Sequence, residues 1–143
     1  MYTLLDFSPD SDHNRTDVTL IGSPEAIKVV VLEIALKCVE LIDMNKHKGE
    51  HPRMGAIDVV PFIPIAEVGM SECVQLANDF AKEFSQKTNV PCYLYEEAAK
   101  REDRRNLADV RRGEYPSTDH MANFFDCATC SLFHCAHLLR CHS

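Results

Sequence analysis

The spacing of apolar and polar positions predicts a run of alternating strands and helices. Tyr2 to Phe7 is a short, mostly apolar stretch, and Asp17 to Ile21 alternates and is β-branched, so both read as strands. Ser8 to Asn14 between them is Ser, Pro, Asp and Asn chemistry, which makes a turn. From Ile27 the period changes. Ile27, Val30, Val31, Ile34, Ala35, Cys38, Leu41 and Ile42 recur at three and four, one broad face of a helix. Ser23 ahead of them suits an N-cap and Pro24 the first helical position, with Glu25 in the first turn. A helix from there to about Asp43 is the strongest structural signal in the chain.

Asn45 to Gly55 has no apolar period and is rich in charge, so it is expected to be a loop. Ala56 to Ile65 is nearly continuous in apolar residues, as a buried strand is, but Pro61 and Pro64 each remove a ladder donor. The strand is therefore expected over Ile57 to Val60, followed by a bulged or edge-like extension. A second amphipathic helix is expected to start at Ser71, with Val74, Leu76, Ala77, Phe80, Ala81 and Phe84 on its apolar face. Asn89 and Pro91 end it, and Pro91 to Tyr95 is expected to be a last strand. Glu96 to Gly113 is highly charged, with a short helix around Leu107 to Arg112.

The order β-β-α-loop-β-α-β implies an α/β two-layer sandwich of the α+β class, a sheet with amphipathic helices on one face. Residues 1–116 form this unit. Residues 117–143 break the pattern and are expected to be a divergent, poorly ordered tail.

The length suits one domain and one core. Acidic residues outnumber basic ones 22 to 15, which argues against nucleic acid, because phosphate neutralisation needs a positive face. A local basic cluster can still hold a small anion. No stretch approaches the ~20 apolar residues of a membrane span, and the N-terminus does not read as a secretion signal, so a cytoplasmic protein is expected. Seven cysteines, an odd number, argue against a disulfide framework. Cys38, Cys73 and Cys92 lie in apolar stretches and read as buried thiols. In the tail, Cys127, Cys130, Cys135 and Cys141 interleave with His134, His137 and His142, but the spacing fits no known zinc module and no metal is expected.

Several stretches resemble the formiminotransferase N-terminal subdomain family: Asp12 to Thr16 (DHNRT), Ile42 to Met44, His47 to Gly55 (HKGEHPRMG), Asp58 with Pro61 to Pro64, Tyr93 to Ala99 (YLYEEAA) and Leu107 to Tyr115 (LADVRRGEY). The resemblance spans roughly residues 4 to 115. It implies a ferredoxin-like fold with a mixed sheet. Family members begin with a further βα unit ahead of Leu4 and continue into a second subdomain.

The activity implied is transfer of a formimino group from N-formimino-L-glutamate to tetrahydrofolate as co-substrate, within one-carbon metabolism and histidine catabolism. The attacking ring nitrogen must lose a proton and the leaving nitrogen must gain one, and a group titrating near ambient pH serves both steps. The resemblance assigns that role to His51, the histidine followed by Pro-Arg-Met-Gly. A solvated Glu50 is too weak a base at neutral pH. Lys48, Arg53 and Gly55 flank His51 and suit a polycarboxylate, while Asn14 and Arg15 belong to the same motif set. Asp58 is a weaker candidate, and His47 is placed either peripherally or as a cap on the preceding helix. The half-site is expected to be inactive alone. The rival reading is a non-catalytic interaction module or truncated isoform that keeps the fold and pairs with a protein partner or a second copy.

Overall fold

A computed structural model of the chain describes residues 1–50, 54–111 and the backbone of 139–142. Its elements are β1 (Tyr2–Asp10), β2 (Arg15–Gly22), α1 (Pro24–Leu41), β3 (Phe62–Ala66), α2 (Met70–Thr88), α3 (Leu107–Val110) and β4 (Leu139–His142), with single 3₁₀ turns at Glu96–Ala98 and Glu102–Arg104.

The signal at the head of α1 acts where it was read. Ser23 caps α1, its Oγ accepting from the Ala26 N–H at 3.4 Å, and Pro24 occupies the first turn. At the head of α2 the cap is Gly69 rather than Ser71: the Glu72 carboxylate accepts from the Gly69 N–H at 2.8 Å. At its foot, Asn89 adopts the left-handed conformation with φ of 56°, which a short amide side chain tolerates better than most.

The four strands lie in the order β1-β2-β4-β3. β1 and β2 form an antiparallel hairpin from Tyr2 opposite Gly22 to Asp10 opposite Arg15, with a register shift between Leu4 and Asp6. β4 is parallel to both neighbours, pairing Ile21 with Arg140 on one side and Phe62 with Leu139 on the other. The sheet is therefore mixed, and with its two long helices the molecule is of the α+β class.

Both helices bury their apolar stripes in one core. Ile27 and Ala35 of α1 are fully buried, as are Phe80, Ala81 and Phe84 of α2. Phe80 stacks on Phe84 at 5.9 Å and meets Phe62 of β3 edge-on at 5.8 Å. Each such phenyl ring contributes on the order of 2–3 kcal/mol of apolar burial. Across the helix pair, Lys28 of α1 reaches Glu83 of α2 at 2.9 Å.

Two strand expectations are corrected. Ile57, Val59 and Val60 are buried, but they carry no ladder; the strand begins at Phe62 and includes Pro64, with its irregularity between Pro64 and Ala66. Burial alone accounts for the apolar run, and the ladder goes to the segment that meets β4. Pro91 to Tyr95 likewise contributes only an isolated bridge at Cys92, although Cys92 and Leu94 are buried. Of the tail, only the backbone of 139–142 is described, so the candidate zinc residues and the expectation of poor order lie outside the described residues. Among the described residues Cys38 is half-buried, and Cys73 and Cys92 are buried thiols outside any disulfide. No helix among them is long and apolar enough to cross a membrane.

Candidate functional site

The hairpin turn after β1 is built around one carboxylate. Asp10 Oδ1 accepts from the Asp12 and His13 N–H groups at 3.0 and 3.1 Å, and Oδ2 stands 2.7 Å from His13 Nδ1. The His13 N–H is the largest influence holding the Asp10 carboxyl below its ordinary range. Asn14 then turns the chain through the left-handed region, with φ of 50°.

That turn is stitched to the loop that follows α1. His47 Nε2 lies 2.8 Å from the Asn14 carbonyl oxygen. A carbonyl only accepts, so Nε2 carries a proton and donates it here. In the other direction the Asn14 amide donates to the Lys48 carbonyl at 2.8 Å. A third bond runs from the Glu50 N–H to the Asp12 carbonyl at 3.3 Å. Gly49 sits hard against the turn: a Cβ there would stand 2.2 Å from the His13 carbonyl oxygen.

His47 thus binds the hairpin turn with its ring instead of capping α1. The α1 terminus is closed by its own backbone, the Ile42 N–H bonding to the Cys38 carbonyl at 2.9 Å.

Two polar atoms along this seam are buried without a hydrogen-bond partner among the described residues: Arg15 Nε and His47 Nδ1. Arg15 Nε is 3.8 Å from Asp10 Oδ2, within reach of the charge but too far for a bond, because His13 occupies that oxygen. Lys48 is exposed.

The outgoing stem of the loop, Met54 to Val60, is anchored differently. Ile57, Val59 and Val60 enter the core, and the Asp58 carboxylate between them accepts from the Arg111 guanidinium at the end of α3. Arg111 was not singled out by sequence reasoning. The sign available was the presence of both residues in resembling segments, but no spacing rule links positions so far apart.

Of the residues expected at the site, Asn14, Arg15 and Lys48 are brought together, and Gly55 lies on the outgoing stem, partly buried. His51 and Arg53 lie outside the described residues, as does Pro52. An apolar hollow of about 270 Å³ lies elsewhere, lined by Phe62, Ala77, Phe80, Tyr93 and Tyr95, and it includes none of the seam residues. No cluster of His, Cys, Asp and Glu suited to a metal occurs among the described residues.

Comparison with known proteins places this arrangement. The profile of the formiminotransferase domain, N-terminal subdomain, matches residues 1–127. Formimidoyltransferase-cyclodeaminase of Gallus gallus is 50% identical over 113 residues, which cover 79% of this chain and 21% of that protein. The Mus musculus protein of the same name is 49% identical over 112 residues, 78% of this chain and 21% of its own length. Glutamate formimidoyltransferase of Streptococcus pyogenes serotype M1 is 44% identical over 113 residues, 79% of this chain and 38% of its own. The chain thus spans between about a fifth and two fifths of the length of these curated relatives.

Proposed function

This chain belongs to the formiminotransferase N-terminal subdomain family, and we propose that it supplies one half of a site for moving a formimino group from N-formimino-L-glutamate to tetrahydrofolate. In this reading His51 takes the proton from the attacking ring nitrogen as the new carbon–nitrogen bond forms. It then returns a proton to the glutamate nitrogen as the old bond breaks. The observation that carries the reading is the seam itself, which sets Asn14, Arg15 and Lys48 beside the loop that leads into His51. The buried Arg15 Nε–H, with no acceptor among the described residues, suits a carboxylate of either substrate. Arg53 and Gly55 extend the same basic loop.

The half-site does not turn over alone, because enclosure by a second subdomain is what excludes water from the reacting groups. The setting is cytoplasmic one-carbon and histidine catabolism, in a ferredoxin-like half-domain. Calorimetry of the purified chain with tetrahydrofolate tests the proposal: binding on the order of 0.1–1 mM is expected, weakened about tenfold by Arg15→Ala or Lys48→Ala. Absence of binding at several millimolar, or sustained turnover by the chain alone, would overturn it.

One observation favours a second reading, a non-catalytic interaction module. β1 is an edge strand nine residues long, and Tyr2, Leu4, Leu5 and Phe7 along it are each more than half exposed. Such an edge pairs readily with another chain, a protein partner or a second copy. A chain that self-associates yet ignores folate would support this reading over the first.

A further inference from the structure

β1 lies at the outer edge of the sheet, and its two faces differ. The ladder sets Tyr2 opposite Gly22, Leu4 opposite Leu20 and Phe7 opposite Val18. These three side chains therefore share the face on which Leu20 is buried and Val18 packs against the core. Leu5 falls in the register shift, which is why Phe7 rather than Asp6 continues the apolar series. Thr3, Asp6 and Ser8 stand on the other face. The core covers the apolar face over Leu20, yet Tyr2, Leu4 and Phe7 stay more than half exposed among the described residues. Neither lysine nor proline guards the edge from Tyr2 to Ser8.

We infer that this edge is the docking surface for a second copy of the chain, the two β1 strands pairing antiparallel about a two-fold axis at Leu4. The occupant follows from the strand's own pattern. An open edge needs a strand and an exposed apolar face needs an apolar partner, and β1 offers both to its own copy. Let Leu4 face the partner's Leu4, with Leu5 left out of the ladder as it is toward β2. Thr3 then meets the partner's Asp6, and Tyr2 meets the partner's Phe7, each pair occurring twice. Every pair keeps to one face. Asp6 is the one charged side chain between Tyr2 and Ser8, too little to select a basic partner, and in this register it faces a hydroxyl instead of its own copy. Asp10 overhangs the paired segment, so the seam between Asn14 and the His47 loop stays clear. Two short strands make a contact at the small end of specific interfaces, which implies a Kd on the order of 10–100 µM. The inference deepens the interaction reading and rests on it only in taking this edge as a pairing surface.

Sedimentation of the full chain from about 10 µM to about 1 mM reads the dimer directly. Leu4→Lys sets two ammonium groups face to face on the axis and should weaken the dimer at least about thirtyfold. Should that variant not fold, Thr3 carries the test from the polar face. Thr3→Lys should tighten the dimer about threefold to tenfold, because two pairs with Asp6 form at once, and the gain should fade in about 1 M salt. Thr3→Asp should weaken it by a similar factor, and Asp6→Lys added to Thr3→Asp should restore it. That exchange belongs to this register alone. Calorimetry with tetrahydrofolate on the same samples judges the non-catalytic reading separately: a folate-binding dimer removes that reading and keeps the inference. A monomer throughout the range overturns the inference and leaves the edge to a different partner. A dimer indifferent both to Leu4→Lys and to the exchange at Thr3 and Asp6 overturns it as well, because the copies then meet elsewhere.

Discussion

Arg111 and Asp58 face each other with only 14% and 12% of their side chains exposed, a guanidinium–carboxylate pair joining the end of α3 to the chain entering β3. Neither charge belongs in that position without the other. Arg111→Met should cost about 3 kcal/mol in urea unfolding, because it takes the guanidinium away from a carboxylate set among buried apolar neighbours. Asp58→Leu combined with Arg111→Met should recover most of the loss, since the pair's attraction offsets little more than its own desolvation. A single-variant cost below about 0.5 kcal/mol would place the pair in solvent.

Gly49 is required by contact. Its missing Cβ would meet the His13 carbonyl oxygen at 2.2 Å and the Asn14 Cβ at 3.2 Å, so Gly49→Ala must push the loop off the hairpin turn. The expected loss is about 1–3 kcal/mol. Gly69→Ala, where the added Cβ would stand 3.7 Å from the Glu72 Oε2 and Ser71 Oγ atoms, should cost less than about 1 kcal/mol. Equal losses at both positions would show that the seam opens freely in solution.

Acid should weaken the fold at two identifiable carboxylates. Asp10 is held below its ordinary range first by the His13 N–H, against a partial desolvation that pulls the other way. Glu83 is held down first by the Lys28 hydrogen bond and then by Lys87. A carboxyl depressed in the folded state adds stability above its unfolded value of about 4 and loses it as pH falls through the lower folded value. Stability should therefore be level above about pH 5 and decline from about pH 4 downwards. Urea midpoints measured against pH should show that decline, made shallower by Lys28→Met. A midpoint that rises in acid would contradict the assignment.

A chimaera carrying this loop within a complete formiminotransferase gives the sharpest functional expectation. His51→Ala should lower turnover about 100- to 10,000-fold, the usual worth of an acid–base group, with substrate affinity changed far less. The acid limb of the pH–rate profile should vanish with it. His47→Ala should produce a smaller loss, also in turnover. If instead His47→Ala abolished activity and His51→Ala were harmless, the proton-transferring group would be His47.

Legibility in the sequence followed the range of the interactions. Ser23 and Pro24 fixed the start of α1 because a cap depends on neighbours within three residues. The β3 ladder fell on Phe62–Ala66, later than the apolar run suggested, because periodicity reports burial while the choice of partner is made by β4. The same holds for Pro91 to Tyr95, buried like a strand and paired at a single bridge. At the site, the motif residues Asn14 and Lys48 were marked, but their hydrogen bond to each other was not, since 34 positions separate them. Nor could sequence show that Asp58 pairs with Arg111, 53 positions away.

The central place of β4 bears on how the molecule is made. Ile21 pairs with Arg140, so β2, made early, waits for a strand more than a hundred residues further along the chain before its inner edge is closed. Until then the β1–β2 hairpin and β3 can each acquire their helices, but not a common sheet. Contacts spanning so much of a chain form slowly, and unpaired strand edges in the meantime invite intermolecular association. The most exposed interval in the folding of this sheet is thus the one between closure of the β1–β2 hairpin and the arrival of the four-residue β4.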